Sequence, residues 1–362
     1  MRVAVHAGQL LQPVPGGIGR YVAALLAELP GAGAEVVAFG AGGRPGSVPA
    51  RVPWIDLGPP RGTARYELWH RLRRPRVRID ADVFHAPSLA VPPVVPAPLV
   101  VTVHDVAFLR LPHAATRRGV AFHTRGLELA RAEAAVVLCP SEFTRTELLA
   151  EGFDPDRVLV VPHGVDPPGP RDPADIDLTL QRCGVRPPYV LHVGTIEPRK
   201  DVPTLVAAVE RLRSRHPDLT LVLAGPRGWG SVTGVDRPCV RLLGDLPWPV
   251  VDALYRRAAA CCVASRYEGF GLPVLEAFAR GTPVVAADNS ALREVTGDAG
   301  VPFPTGDADA LADALGGVLD DGARRAELRR RGLARAAAAT WRSAAAAHLR
   351  AYARAAGRGP AA

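Results

Sequence analysis

Lysine is almost absent from this sequence: Lys200 is the only lysine among 44 basic residues, and the other 43 are arginine. Alanine, glycine and proline are abundant, a composition that resembles a GC-rich genome in which arginine stands in for lysine. A single lysine in such a chain suggests the hypothesis that arginine cannot replace it at that position. Chance is the alternative explanation, and composition alone does not separate the two.

Several other features are missing, and each absence excludes a class of protein. The five cysteines show no C-x-x-C spacing, so we expect reduced, mostly buried thiols and no zinc site. The most apolar run, 89–103, is interrupted by four prolines and is too short to cross a bilayer. The chain begins on a predicted strand with no signal-peptide pattern, so we predict a cytoplasmic protein.

The net charge by itself excludes few classes of binding partner. The formal net charge of +8 would suit nucleic acid, an anionic membrane or a phosphorylated small molecule. The sequence carries no recognised nucleic-acid-binding motif, so nucleic acid is not predicted as a partner. A length of 362 residues is long for one hydrophobic core and suits two domains.

Short apolar runs alternate with helical patterns twice along the chain, which predicts an α/β protein with two Rossmann-like, doubly wound domains. The proline-rich stretch 164–175 predicts a linker between them. We therefore expect an N-terminal domain at 1–168, a C-terminal domain at 169–338, and a last helix within 339–362 that packs back toward the N-terminal domain. Ligands of such sheets lie beyond the carboxyl ends of the strands, so a central cleft is the predicted site.

The segment Glu268-Gly-Phe-Gly-Leu-Pro-Val-Leu-Glu276 follows a predicted buried strand and begins a helix. Its glycines, among them Gly271, let backbone N–H groups approach a ligand, and Pro273 suits the first helical turn. Two carboxylates placed in this way could accept hydrogen bonds from vicinal sugar hydroxyls. The alternative is that Glu276 complements the helix dipole and that Glu268 is solvated.

A second segment, 192–201, also lies between a predicted strand and a predicted helix that Asp201 would cap. Arg199 and Lys200 project from this loop, where adjacent cations could hold a diphosphate. The alternative is a solvated basic loop.

Two weaker signals lie in the first domain. Gly16 and Gly17 begin a helix after the first strand, a geometry that suits phosphate. The loop is not a dinucleotide fingerprint, since Val22 holds the place of the third glycine, and no Walker A sequence is present. His104 ends a strongly apolar strand and is either a substrate contact or a buried structural histidine.

Together these segments resemble the retaining glycosyltransferases of the GT-B fold, specifically glycosyltransferase family 4. The E-x7-E element matches Glu268 and Glu276 with Gly-Phe-Gly between, and the Arg-Lys pair, the glycine loop and the turn Pro-His-Gly-Val-Asp166 follow in the expected order. The resemblance covers nearly the whole chain. The segments Phe84-His-Ala-Pro, Thr-Val-His-Asp and Ala-Gly-Pro-Arg-Gly-Trp229 are similar to those of bacterial mannosyltransferase-like members.

The resemblance implies a role for each residue. Arg199 and Lys200 would hold the donor diphosphate and stabilise it as the leaving group. Glu276 would bind the ribose hydroxyls, and Glu268 would hold the transferred hexose. The remaining assignments are the backbone of Phe270 and Gly271 to the hexose, Gly16 and Gly17 to the phosphates, His104 to the hexose or acceptor, and the stretch 244–246 to the nucleobase.

The same resemblance implies a nucleotide-diphosphate sugar as co-substrate, with GDP-mannose as the first choice, and a saccharide, glycolipid or small-molecule acceptor. No metal and no other cofactor are expected, because Arg199 and Lys200 supply the positive charge. The Asp-x-Asp pairs, such as Asp80 and Asp82, fall in predicted turns, the linker or a helix start and do not suggest metal ligands. The alternatives are a nucleotide-sugar epimerase of similar fold and a non-catalytic nucleotide-sugar-binding protein.

The stretch Arg65–Arg78 carries six arginines with Leu68, Trp69 and Leu72 between them. Such basic amphipathic segments lie on anionic membranes, which predicts a peripheral contact at the inner membrane face. The alternative, which we favour slightly, is an ordinary helix that packs Leu68 and Leu72 inward and keeps its arginines in water.

Overall fold

The computed structural model describes residues 1–357, which divide into two compact units. The first unit comprises residues 1–110, 117–164 and 340–357. The second comprises residues 111–116 and 165–339. Each unit is built on one parallel β-sheet with helices in the connections.

The first unit contains a seven-stranded sheet in the order β3-β2-β1-β5-β7-β8-β9, with every pair parallel. A separate two-stranded pair joins β4 to β6. The strands are β1 Arg2–His6, β2 Glu35–Gly40, β3 Trp54–Asp56, β4 Val77–Arg78, β5 Val83–Ala86, β6 Val94–Val95, β7 Leu99–Thr102, β8 Val136–Cys139 and β9 Val158–Val160. The helices up to residue 164 are α1 Gly16–Glu28, α2 Gly62–Leu72, α3 Ala107–Arg110, α4 Arg117–Glu133 and α5 Glu142–Ala150.

The second unit contains a six-stranded parallel sheet in the order β12-β11-β10-β13-β14-β15. Its strands are β10 Tyr189–Val193, β11 Thr220–Ala224, β12 Val240–Gly244, β13 Ala260–Val263, β14 Val284–Ala287 and β15 Val301–Phe303. Its helices are α6 Pro173–Arg182, α7 Val202–Leu212, α8 Trp248–Arg257, α9 Leu272–Ala279, α10 Ser290–Thr296, α11 Ala308–Asp320 and α12 Gly322–Ala338. The last helix of the chain, α13 Trp341–Ala355, belongs to the first unit and packs against α1, β7 and β8.

Continuous apolar runs explain why these strands form. The side chains of β5, β7, β8, β13 and β14 are buried at every position, as expected where helices cover both faces of a parallel sheet. Strands and helices alternate through both units, as the sequence predicts. The strands β3, β4, β6 and β15 and the helices α3 and α10 were not predicted, because each is short and its residues form no clear apolar pattern of their own.

The predicted linker 164–175 is too long at its carboxyl end. Helix α6 begins at Pro173, and the Asp172 side chain accepts a hydrogen bond from the backbone N–H of Ala174 at 2.8 Å. The proline content that predicted a linker includes this proline, which lies in the first turn of a helix, where its missing N–H costs nothing.

The expectation that α2 packs Leu68 and Leu72 inward is wrong for Leu72, whose surface is 62% exposed. The buried residues of this helix are Arg65, Trp69 and His70 instead. Leu72 is the last helical residue, and the chain turns away at Arg73 in a left-handed conformation, so the side chain projects past the core. The Arg65 guanidinium donates to the carbonyl oxygens of residues 57–60 at 2.8–3.1 Å and is therefore not on the surface.

A membrane-spanning helix is not found in residues 1–357, since none of the helices there is both long enough and apolar enough.

Candidate active site

The cationic pair lies just beyond the carboxyl end of β10. Arg199 and Lys200 occupy a single 3-10 turn, Pro198–Lys200, and α7 begins two residues later at Val202. Asp201 stands at the N-cap position with φ +50°, but its side chain does not cap the helix. It forms an ion pair with Arg266 at 3.2 Å instead, so the predicted cap is wrong and this acid ties the turn to the loop after β13.

Both cations contact one carboxylate. The Lys200 Nζ lies 2.5 Å from Oε1 of Glu268, and the Arg199 Nη1 lies 3.1 Å from Oε2. Arg199 also donates to the carbonyl oxygen of Tyr267 at 2.8 Å. The loop of Glu268 and the turn of Lys200 are 68 residues apart in the chain, and the parallel pairing of β10 with β13 brings them together.

Glu197 completes the charge balance of this cluster. Its Oε1 lies 2.7 Å from Nη2 of Arg199, and Glu197 itself is only 2% exposed. Burial by itself would raise the pKa of Glu268, but the charges of Lys200 and Arg199 outweigh it and lower that pKa to about 2. Two cations and two acidic side chains therefore hold one another in a largely buried position. We call Glu197, Arg199, Lys200 and Glu268 the ionic cluster.

The glycines after Glu268 set the start of α9. Gly271 is the N-cap residue with φ +105°, a conformation that disfavours any side chain, and a Cβ there would meet Leu292 at 3.0 Å. Phe270 is buried beside it, and proline lies in the first turn of α9, as the sequence predicts. The first backbone N–H groups of α9 therefore face the region beyond the carboxyl end of β13.

Glu276 lies in the interior of α9 and is 3% exposed. The hydroxyl of Tyr255, on α8, donates to its Oε2 at 2.9 Å. The alternative in which Glu276 merely complements the helix dipole does not account for this buried, specific contact. Each carboxylate oxygen accepts more than one hydrogen bond, so the tyrosine orients the carboxylate without exhausting it.

The other predicted residues lie in the first unit. Gly16 and Gly17 are exposed at the start of α1, and Gly16 has φ +62° with no atom near the position of a Cβ. The Gln9 side chain donates to the carbonyl oxygen of Pro15 at 2.8 Å and steadies this loop. The helix therefore presents its first N–H groups at the carboxyl edge of the seven-stranded sheet.

His104 follows β7, and protein groups engage both of its ring nitrogens. Nε2 lies 2.9 Å from the carbonyl oxygen of Pro87, which can only accept, so Nε2 carries the proton. Nδ1 then accepts from Nε2 of His163 at 3.1 Å. Burial lowers the pKa of His104, so the ring is neutral near pH 7. A hydrogen bond from this ring to a substrate would require one of these contacts to open, and the predicted substrate contact stays a prediction.

Next to His104 lies a chain of uncharged hydrogen bonds. His348 on α13 donates from Nδ1 to the carbonyl oxygen of Ala344, so its Nε2 accepts from the Tyr21 hydroxyl at 2.6 Å. Since the proton of Tyr21 is committed, the Thr102 hydroxyl donates to the tyrosine oxygen at 2.9 Å. Every donor thus has one acceptor, and α1, β7 and α13 are joined.

The same chain continues to β5. Nε2 of His85 donates to Thr102 at 2.8 Å, and Nδ1 of His85 accepts from the hydroxyl of Tyr352 at 2.9 Å. We call Tyr21, His85, Thr102, His348 and Tyr352 the neutral chain. Burial lowers the pKa of His348 to about 4 and that of His85 well below 6.5.

The structure therefore brings three of the predicted catalytic residues, Arg199, Lys200 and Glu268, into direct contact within the second unit. Glu276 lies on the helix that follows Glu268. Sequence reasoning missed Glu197 and Tyr255. Glu197 stood inside the segment that was singled out, where an acid two residues from an arginine was a usable signal. Tyr255 gave no signal, because its link to Glu276 exists only once α8 and α9 pack together.

Comparison with known proteins agrees with this arrangement. Residues 15–168 match the family profile described as Glycosyltransferase Family 4, and residues 187–321 match the one described as Glycosyl transferases group 1. The O-antigen chain mannosyltransferase B of Escherichia coli is 31% identical over 303 residues, which cover 79% of this chain and 78% of that protein.

Solved structures resemble the whole chain. Sucrose-phosphate synthase from Thermosynechococcus elongatus aligns with a TM-score of 0.75 and 22% identity, over 97% of this chain and 98% of that one. Anabaena HepE, solved in complex with UDP-glucose, aligns with a TM-score of 0.72 and 19% identity, over 96% and 99%. At these identities the likeness shows the fold, which is GT-B with two parallel α/β sheets.

Proposed function

The chain belongs to glycosyltransferase family 4 and is a hexosyltransferase, and from this premise we propose the reaction that its site carries out. It transfers a hexose with retention of configuration from a nucleotide-diphosphate sugar to a hydroxyl of a saccharide, glycolipid or small natural product. The 31% identical mannosyltransferase supports GDP-mannose as the first donor to test.

The ionic cluster is the observation that carries this proposal. Cleavage of the bond between sugar and phosphate leaves negative charge on the diphosphate, and fixed cations next to the leaving oxygen lower that barrier. Arg199 supplies a planar fork of donors, and Lys200 supplies a compact charge. Both are only 12–18% exposed at the side chain, so their charges act in a partly desolvated place.

Glu268 has two roles in this proposal. Its carboxylate lies 2.5 Å from the Lys200 ammonium and balances both cations. A diphosphate competes for the same ammonium and guanidinium groups, and the carboxylate then accepts hydrogen bonds from hydroxyls of the hexose. Glu276, oriented by Tyr255, accepts from the ribose hydroxyls. The roles of Phe270, Gly271, Gly16, Gly17 and His104 remain as the family resemblance assigns them.

The reaction we propose needs no metal, since the two side-chain cations supply the charge that a metal ion supplies in other transferases. Excess EDTA should leave the initial rate unchanged. A rate that EDTA abolishes and that Mg²⁺ or Mn²⁺ restores would contradict this part of the proposal.

The test of the donor class is a thermal-shift and calorimetric screen of nucleoside diphosphates and nucleotide-sugars. We expect a GDP- or UDP-sugar to raise the melting temperature of the wild type, and Lys200→Ala to abolish the shift. Arg186→Ala is the matched control, because Arg186 is an exposed cation of the same unit, and it should keep the full shift. An equal shift in Lys200→Ala would contradict the proposal.

The dependence of the reaction on an acceptor distinguishes the transferase from an epimerase and from a non-catalytic binding protein. An epimerase converts the donor sugar without any acceptor, whereas a binding protein shows the thermal shift and no turnover. Incubation of the donor with and without a mixture of saccharide acceptors, followed by mass spectrometry of the products, distinguishes them. We expect a new glycoside that forms only with the acceptor.

We also propose that the first unit contacts an anionic membrane surface. Arg74, Arg76 and Arg78, with Leu68 and Pro75, line a cavity of about 610 Å³. None of these three arginines has an acidic partner among residues 1–357. The strands β4 and β6 precede the amino ends of β5 and β7, so this basic surface lies at the edge of the sheet opposite to the helix start at Gly16.

Vesicle flotation tests this contact. The triple variant Arg74→Ala, Arg76→Ala, Arg78→Ala should bind vesicles with 30% anionic lipid at least about 10-fold more weakly than the wild type, since each arginine at such a surface contributes about 1 kcal/mol. The control removes three exposed arginines elsewhere, by Arg186→Ala, Arg241→Ala and Arg342→Ala. Equal binding by both triples, or no binding by the wild type, would contradict the proposal.

A further inference from the structure

One buried ring beside the ionic cluster has no role in the reaction described so far. His192 is the fourth residue of β10 and is 1% exposed. Its Nδ1 lies 3.2 Å from the carbonyl oxygen of Cys262 on β13. A carbonyl oxygen can only accept, so Nδ1 carries the ring proton and Nε2 presents a lone pair.

The charge state of the ring supports that tautomer. Burial, with a contribution from the positive charge of Lys200, lowers the pKa of His192 to about 4. The ring is therefore neutral near pH 7. In the part of the chain that the structure describes, Nε2 has no hydrogen-bond partner, although it is shielded from solvent. Buried acceptors are matched in most proteins, so an unmatched one next to a catalytic cluster points to a ligand.

Gly194 lies beside both this nitrogen and the side chain of Lys200. A Cβ built on Gly194 would lie 3.8 Å from Nε2 of His192, 3.8 Å from Cε of Lys200 and 4.0 Å from its Nζ. A glycine with φ +148° keeps that small space free of a side chain. The imidazole acceptor and the ammonium donor thus border the same space.

The Nε2 acceptor of His192 and the ammonium donor of Lys200 together determine which chemical group fits between them. An ionised phosphate oxygen only accepts hydrogen bonds, so it suits Lys200 but opposes the lone pair of His192. A hydroxyl both donates and accepts, so it satisfies both groups at once. The space therefore matches a sugar hydroxyl better than a phosphate oxygen.

We propose that His192 is a specificity-determining residue that accepts a hydrogen bond through Nε2 from one hydroxyl of the transferred hexose. The inference rests on the proposed function, because it requires a sugar held beside Lys200. It adds a contact that selects donors with a hydroxyl at one ring position and rejects the corresponding deoxy sugar.

Two amide variants distinguish the roles of the two ring nitrogens of His192. In His192→Asn the side-chain amide can still donate to the carbonyl oxygen of Cys262, as Nδ1 does, but it has no atom at the place of Nε2. In His192→Gln the amide oxygen reaches about the place of Nε2 and can accept. We expect kcat/KM with the full donor to fall about 5- to 50-fold in His192→Asn and to be largely retained in His192→Gln.

A series of monodeoxy donors identifies the hydroxyl. In the wild type, one deoxy donor should lose about 5- to 50-fold in kcat/KM, and that same donor should lose nothing further in His192→Asn. Binding of the free nucleoside diphosphate should be equal in the wild type and both variants. Thermal melting checks the fold of each variant, and His216→Leu, at a half-buried surface histidine of the same unit, is the control.

Three results would overturn the inference. The first is a wild type that shows no position-specific loss across the deoxy series, a result that needs no variant. The second is an undiminished deoxy penalty in His192→Asn. The third is a loss of nucleoside diphosphate binding in His192→Asn that is as large as its loss of kcat/KM, which would indicate a structural role for the ring. Failure of the proposed function itself is distinct, because Lys200→Ala would then leave donor binding intact.

Discussion

The ionic cluster of the second unit and the neutral chain of the first unit are two solutions to the same problem. Each gathers polar side chains in a buried place beside a parallel sheet, where the apolar surroundings penalise any unmatched group. The ionic cluster balances two cations against two acids. The neutral chain matches tyrosine, threonine and histidine groups one donor to one acceptor, without any charge.

The difference lies in what each arrangement can exchange. An anionic ligand can replace Glu268 as the partner of Lys200, because the ammonium group donates hydrogen bonds to any suitably placed anion. The neutral chain has a direction fixed by the carbonyl oxygen of Ala344 at one end, and it holds no charged side chain with which an ionic ligand could pair. Disturbing the ionic cluster should therefore appear mainly in activity, and disturbing the neutral chain mainly in stability.

The largest effect is expected for Lys200→Arg, which keeps the charge and changes its shape. A planar guanidinium cannot place a compact charge in the same position beside Glu268, so we expect kcat to fall at least about 100-fold, with unfolding free energy changed by less than about 1 kcal/mol. Steady-state kinetics and urea denaturation measure the two quantities. A variant with nearly wild-type kcat would show that the lone lysine survives by chance.

The next effect concerns Tyr21, which links Thr102 to His348. Tyr21→Phe leaves the Nε2 acceptor of His348 and the Thr102 hydroxyl without their partner, so the free energy of unfolding should fall by about 1–3 kcal/mol. The kcat of the folded protein should stay within about threefold. Tyr189→Phe is the matched comparison in the second unit, where the hydroxyl donates only to the carbonyl oxygen of Leu254, and its loss should be smaller.

Lowering the pH should destabilise the first unit before the second, because the buried histidines are concentrated in the first. The pKa of His348 is about 4 and those of His85 and His163 are well below 6.5, all lowered by burial. The unfolded chain binds more protons than the folded one between pH 6.5 and about 4, so the stability of the first unit should decline as the pH falls through that window.

The ionic cluster responds to acid later. The pKa of Glu268 is about 2, lowered from its ordinary 4.5 by Lys200 and Arg199 against the opposing effect of burial, so its contribution is lost only between those two values. Hydrogen exchange followed by mass spectrometry at pH 7 and pH 5, corrected for intrinsic rates, should show the first unit losing protection first. Uniform loss in both units would contradict the comparison.

The smallest effect is expected for Ser290→Ala. The backbone N–H of Glu268 donates to the Ser290 hydroxyl at 3.0 Å, which positions the loop but touches no charge of the cluster. We expect the donor KM to rise about 3-fold, with kcat and melting temperature nearly unchanged. Ser214→Ala, at an exposed serine of the same unit, should leave both kinetic constants unchanged.

Much of the fold was predictable, since the strong parallel strands are continuous apolar runs and the long helices have clear caps. Ser141 and Asp307, residue types that favour the N-cap position, do cap their helices by accepting hydrogen bonds from backbone N–H groups. The cap expected of Asp201 is absent, because an ion pair with Arg266, 65 residues away, takes the side chain. Local sequence can propose a cap, but it cannot foresee a distant competitor for the same oxygen atoms.

The residues of the candidate site also fall into those that local sequence can identify and those that it cannot. Arg199, Lys200, Glu268 and Glu276 lie in two short segments with recognisable spacing, so the sequence was enough to propose them as a group, and the structure places the first three in contact. Tyr255 and His192 were not, because nothing in a helix or a strand by itself marks which polar atom will face a carboxylate or an empty space. The neutral chain was also beyond reach, since Tyr21 and His348 are 327 residues apart.

Periodicity and spacing are local properties, so they were enough to predict two α/β sheets with cations and acids at strand ends. The three-dimensional packing set which of those charges neutralise one another, which nitrogen of His192 has no hydrogen-bond partner within residues 1–357, and that Tyr21 links the predicted last helix to Thr102. Those outcomes depend on which distant segments pack together, and hydrogen bonds and ion pairs form only at the distances that packing sets.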